Sequence, residues 1–188
     1  MQSKYIENEI KYTGSELAPH WIYKNFKMQG DAIVAFCGEC DVKITEMVDI
    51  EDVLDNSPIY SQKMLHFIIE HFNIGLAEGV VRQRLFINII REQILKHLPK
   101  GSEIERFGDD LFFDKKKLSV SIAAKSINSV LIHTGLNIIS ENAAIEASGL
   151  ISDMDLQNVH ALAKDIIESY SKECDNILLA TTKVRGVL

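Results

Sequence analysis

The chain has 188 residues, 46% apolar and 25% charged, the balance of a globular domain with its own core rather than of a disordered or fibrous segment. Its 27 acids against 20 bases leave a net charge of -7, which argues against an indiscriminate nucleic-acid binder, because phosphate contacts need clustered lysine and arginine. Three cysteines do not make a disulfide framework, and no apolar run is long enough to span a membrane or act as a signal peptide, so the expectation is one cytoplasmic domain over 1–188.

Residues 5–12 suggest a short strand, and Ser15 to Lys27, with Pro19 near its start, a short helix that Gly30 ends. The continuous apolar run Ala32 to Phe36 predicts a strand buried on both faces. Val42 to Met47 alternates with period two and predicts another strand, with one face wet. Between Pro58 and Pro99 the four-residue spacing of Met64, Ile68 and Phe72 predicts a helix. A second, longer helix carries Val80, Ile87, Ile90, Ile94 and Leu98, and the two break at Asn73-Ile74-Gly75. After Gly101 the period changes, and three strands are expected at Leu111 to Phe113, Leu118 to Ile122 and Val130 to Ile139, the first pair turning at Asp114-Lys115. A last helix runs from about Leu156 to Ile177. Strands grouped around helices without strict alternation predict an α+β fold with a mixed or largely antiparallel sheet.

Three patterns could carry chemistry. Cys37-Gly38-Glu39-Cys40 has the spacing of a redox or zinc motif, yet the residues after Cys40 alternate like a strand and Cys174 is the only other thiol, so thiols in a turn are the plainer reading. His66, Glu70 and His71 resemble a zinc helix, but histidines five apart diverge on a helix. Glu39 to Asp55 holds seven acids and one base, Lys43, and within it Asp49 and Asp52 are candidate magnesium ligands, a solvated loop being the alternative.

The most informative stretch is Arg106 to Ile122, together with His133-Thr134-Gly135-Leu136-Asn137 further along the chain. Two acids at the start of a strand, a lysine on its partner and an asparagine at the end of the next would bring Asp110, Lys117 and Asn137 together. Such a lysine can anchor a phosphate or carboxylate, whereas the bland alternative is a hairpin with a charged tip.

This stretch resembles the signature of the biotin and lipoate protein ligases, Lys-Trp-Pro-Asn-Asp-Leu, then Lys-Leu-x-Gly, then Gly-x-Gly-x-Asn. Arg106 falls on the first lysine, Phe107 on the tryptophan, Asp109 on the asparagine, Asp110 on the aspartate, Lys117 on the second lysine and Asn137 on the last asparagine. Over its whole length the chain is more closely similar to a mostly archaeal family, the domain of unknown function 366. The resemblance implies a ligase-like fold, related to the core of class II aminoacyl-tRNA synthetases, with ATP and magnesium as cofactors and a small carboxylate as ligand. It implies Lys117 and Asp110 as catalytic residues, and Arg106, Asp109, Ser119 and Asn137 as ligand-binding residues. The chain departs from the ligases at Val120 and His133, which replace glycines, and lacks their Gly-Arg-Gly-Arg loop, the acidic segment standing in its place. Two functions are therefore expected: ATP-dependent activation or transfer of a small carboxylate, or a non-catalytic relative that keeps the pocket for a ligand or partner.

Overall fold

The structure, a computed structural model, describes residues 1–141 and 146–187. In chain order the elements are β1 (Gln2–Tyr5), α1 (Trp21–Phe26), β2 (Ala32–Val42), α2 (Ile50–Leu54), β3 (Ile59–Phe72), α3 (Leu76–His97), β4 (Glu105–Phe107), β5 (Asp110–Phe113), β6 (Lys116–Lys117), β7 (Ser119–Lys125), β8 (Ser129–Asn137) and α4 (Val159–Ala180). Five strands form a sheet in the order β1-β2-β3-β8-β7, and β4-β5-β6 form a small second sheet. β1 runs parallel to β2 and the other pairs of the large sheet are antiparallel, so the fold is α+β with a mixed sheet.

The large sheet is buried on both faces. Ile33, Ala35, Leu65, Phe67, Ile69, Ile132 and Leu136 meet α3 and α4 through Phe86, Ile87, Ile90, Leu162, Ile166 and Tyr170. On the other face Val34, Phe36, Met64 and Ile68 meet Ile6, Tyr12, Ile22 and Met28 from the N-terminal segment. Gly79 lets α3 lie close to the sheet, since a Cβ there would stand 2.3 Å from Val130 Cγ1.

β3 corrects the expected helix over Met64 to Phe72. A spacing of four lies on one face of a helix, and it is also two full periods of a strand. Here Met64, His66, Ile68 and Glu70 share one face while Leu65, Phe67 and Ile69 share the other, and both faces are covered, so no polar stripe separates the two readings. The expected strand at Val42 to Met47 is also corrected. β2 ends at Val42, Ile44–Glu46 form one 3₁₀ turn, and the Asp49 carboxylate caps α2 by accepting from the Glu51 N–H at 2.9 Å. The expected helix over 15–27 shortens to Trp21–Phe26, preceded by His20 in a left-handed conformation at φ 62°. Residues 5–12 form little regular strand, but they track the edge of β2: Ile6, Ile10 and Tyr12 donate backbone N–H groups to Ala35, Cys37 and Glu39. Gly38 makes this contact possible, because a Cβ would fall 1.9 Å from the Ile10 carbonyl oxygen.

Among the described residues no helix is long and apolar enough to cross a membrane.

Candidate functional site

β5 and β6 form a hairpin at the turn anticipated from the sequence, but the partner strand is only Lys116–Lys117, and the strand expected from Leu118 to Ile122 joins the large sheet as β7. Phe113 faces Lys116 across the two-residue turn Asp114-Lys115, both of whose residues have positive φ, 49° and 65°. That turn matches the twist of the flanking strands and fixes the register in which Lys117 comes opposite Phe112. Lys117 is anchored through its main chain, its N–H donating to Glu146 and its carbonyl accepting from the Ser148 N–H at 3.0 Å. Its Nζ stands 2.9 Å from Asp110 Oδ2, with both side chains about a quarter exposed. Burial pushes the Asp110 carboxyl above the usual carboxylate range; the Lys117 charge pulls it back only in part.

Asp110 and Lys117 line a cleft of about 290 Å³ between the small sheet, the end of the large sheet and the 46–52 segment. Its apolar lining includes Tyr12, Leu17, Val42, Ile59, Val120 and Ile122. Six carboxylates line it, those of Glu46, Asp49, Glu51, Asp52, Asp109 and Asp110, against the single lysine. Two are neutralised, since Asp109 binds Arg84 Nη1 and Gln83 Nε2 of α3 at 2.7 Å each and Asp110 binds Lys117. Glu46, Asp49, Glu51 and Asp52 have no cationic partner among the described residues. Burial, with the neighbouring Asp49 charge, raises the Asp52 carboxyl above its ordinary value.

Asn137, Ser119 and Arg106 sit apart from the cleft. Asn137 lies behind Lys117: its Nδ2 donates to the Lys117 carbonyl at 3.4 Å and its Oδ1 accepts from Ser61 Oγ at 3.1 Å, so it supports the strand that carries the lysine instead of meeting the amine. Ser119 is fully buried and its Oγ accepts from the Leu111 N–H at 2.8 Å, joining the small sheet to the large one. Arg106 is exposed, donates to the Gly108 carbonyl and lies in a separate surface hollow with Arg91 and Glu103. Asp49 and Asp52 reach the cleft, yet among the described residues no three His, Cys, Asp or Glu side chains cluster as a metal site would.

The other two motifs resolve into core. Cys37 packs with the helical face of the sheet and Cys40 with the opposite face, across a register shift between Gly38 and Cys40. Burial raises both thiols, Cys40 to about 12, the reverse of what a reactive thiolate needs. His66 and His71 lie on opposite faces of β3. His71 joins Asp31 and Tyr170 at 2.8 Å each, while Glu70 accepts from Ser129 Oγ at 2.6 Å and from the His20 N–H at 2.9 Å.

Sequence reasoning missed a buried histidine pair, one member of which, His133, lines the cleft. His66 Nδ1 lies 3.1 Å from His133 Nε2, His66 Nε2 lies 3.3 Å from the Gly38 carbonyl, and Tyr12 stacks on His133 with centroids 3.7 Å apart. The carbonyl can only accept, so Nε2 of His66 carries its proton and Nδ1 accepts from His133 Nε2. Burial depresses His66 to about 4 and His133 well below the ordinary imidazole value, so both are neutral at pH 7. No local signal joins these residues, which lie 67 apart in the chain.

Comparison with known proteins places this architecture. The family profile described as Domain of unknown function (DUF366) matches residues 1–185. The chain belongs to the DUF366 family. This DUF366 chain is similar to an uncharacterized protein of Methanocaldococcus jannaschii, 36% identical over 179 residues that make up 92% of this chain and 79% of the relative. A solved protein of unknown function from Pyrococcus horikoshi superposes with a TM-score of 0.89 at 32% identity, covering 99% of this chain and 100% of its own. Ligases share the fold at much lower identity. Lipoate-protein ligase A bound with ATP matches with a TM-score of 0.58 at 12% identity, over 92% of this chain and 85% of its own. A biotin protein ligase mutant from Aquifex aeolicus in complex with biotin matches at 0.54 and 14%, over 92% and 71%. The DUF366 fold is thus that of the biotin and lipoate protein ligases.

Proposed function

We propose that this DUF366 protein is a ligand-binding relative of the ligases, whose cleft takes a small organic molecule and does not depend on nucleotide. The observation that carries this reading is the run of unneutralised carboxylates at Glu46, Asp49, Glu51 and Asp52, facing a lysine already paired to Asp110. A triphosphate entering there meets like charges at short range, and repulsion between unit charges about 4 Å apart near a protein surface is on the order of 4 kcal/mol per pair. The donors do not fit a preassembled magnesium site either, because Asp49 is spent in part on capping α2 and no cluster of three ligands forms among the described residues. The cleft nevertheless has the apolar lining and the few convergent polar groups of a small-molecule pocket.

A second reading is favoured by one feature. Asp109, Asp110 and Lys117 fall in the ligase pattern, and Lys117 is held at the cleft by main-chain bonds on both sides, so a small carboxylate bound there could be activated with ATP and magnesium. The lipoate and biotin ligases that share the fold bind ATP and biotin respectively in their structures, which supports that class of ligand. ATP-pyrophosphate exchange across a set of small carboxylic acids, run beside calorimetric titration of small organic molecules of either charge without nucleotide, separates the readings. Binding without exchange is expected. Exchange that disappears in Lys117→Ala would instead establish the acyl-activating reading.

A further inference from the structure

Resting on the reading of the cleft as a small-molecule site, we propose that its ligand is an organic cation, an amine on an apolar stem, with the ammonium against the 46–52 wall and one N–H donated to His133. Two independent observations converge on this. The wall presents carboxylates without cationic partners, a concentration of negative charge that a positively charged ligand would relieve. The second observation is His133, only 4% exposed and part of the cleft lining. Its Nε2 is committed as donor to His66, so Nδ1 is a lone-pair acceptor, and no partner for it exists among the described residues. His133 is part of the cleft lining, so this lone pair is open to a donor that enters the cleft. An ammonium supplies both that donor and the opposite charge, whereas a carboxylate supplies neither.

A divalent metal is the competing occupant, and the geometry disfavours it. Metal ligands must converge to within about 2.5 Å of one point, while the wall carboxylates are spread along a 3₁₀ turn, a loop and a short helix and form no chelating cluster among the described residues. An amine on a hydrocarbon chain can also use Leu17, Val120 and Ile122, which line the cleft and offer nothing to a hydrated ion.

The test is calorimetric titration of the full chain with four probes, three of them organic and matched in size: pentylamine, 5-aminopentanoate, pentanoate and magnesium chloride. Pentylamine and 5-aminopentanoate should bind and pentanoate should not, with affinity for the amines at least tenfold weaker in the double variant Glu46→Gln/Asp52→Asn. Both positions are at least partly exposed, so the variant should keep its fold, which circular dichroism checks. In the wild type the His133 Nδ1 resonance should move on adding pentylamine. If pentanoate binds and the amines do not, the small-molecule reading stands and the cation assignment falls. If none of the three organic probes binds, both fall. Magnesium that displaces bound pentylamine through the same two carboxylates would give the wall to a metal and overturn the assignment.

Discussion

The buried pair His66 and His133 should make the protein acid-sensitive well above the carboxylate range. His66 is wholly buried and its ring titrates at about 4, against an ordinary imidazole value of 6.5. The unfolded chain therefore takes up a proton as the pH falls through 6.5 and the folded chain does not, so stability present above 6.5 drains away until the folded ring itself protonates near 4. At 1.36 kcal/mol per pH unit this shift corresponds to about 3 kcal/mol from His66 alone, or roughly 6 to 12 °C in Tm for a chain of this size. His133 acts in the same direction. Urea denaturation at steps between pH 7.5 and 4 measures the loss, and His66→Phe, which cannot titrate there, isolates it from the carboxylates. The variant is less stable at neutral pH, because it strands the His133 donor, and the gap between it and the wild type should narrow by about 3 kcal/mol on acidification. A gap that stays constant, or a folded-state His66 resonance that titrates near 6.5, would refute the argument.

Three further outcomes are expected. Lys117→Ala leaves Asp110 unneutralised at the cleft, so pentylamine should bind about fivefold more tightly by calorimetry, on the order of 1 kcal/mol. Lys115→Gly places the residue suited to φ 65° in the second turn position and should raise stability by about 0.5 to 1 kcal/mol, read as a higher urea midpoint. Asp31→Ala removes the acceptor of the Phe72 N–H and of His71, and should cost about 1 to 3 kcal/mol at pH 7. Burial works against the Asp31 charge, but the bonds from His71 and Phe72 outweigh it and hold the carboxyl below its ordinary 3.8. The cost should therefore be complete above about pH 4 and vanish as acid titrates the wild-type carboxylate, which denaturation of both proteins between pH 7 and 2 would show.

The parts of this fold that can be read from the chain are those whose signal is local. α4 is legible because Leu156 to Ile177 keep one apolar stripe against a polar back, and the turn of the β5–β6 hairpin because Asp114-Lys115 follows the apolar run Leu111 to Phe113. β3 is not, since a strand covered on both sides loses the alternation that would identify it. At the site, the pairing of Asp110 with Lys117 is set by the hairpin register and is legible with it. Asn137 and Ser119 lie next to the lysine along the chain fold, but strand direction turns their polar atoms onto main-chain groups, a matter of facing that residue spacing alone does not determine. The acidic segment stands out by composition, whereas its sharing one cleft with Lys117 and His133 depends on contacts far apart in sequence.

The segment from Lys43 to Pro58 is the link between two neighbouring antiparallel strands, β2 and β3, and contributes no rung to either sheet. Its only regular pieces are one 3₁₀ turn and a five-residue helix. Apart from Met47, which packs against the core on the N-terminal side of the sheet, substitutions within it leave the ladder and both cores untouched, so preference for one molecule over another can be rewritten on this connector at little energetic expense to the scaffold. A loop exchange between family members, carried out at these two strand ends, would carry recognition from one protein to the next as a cassette.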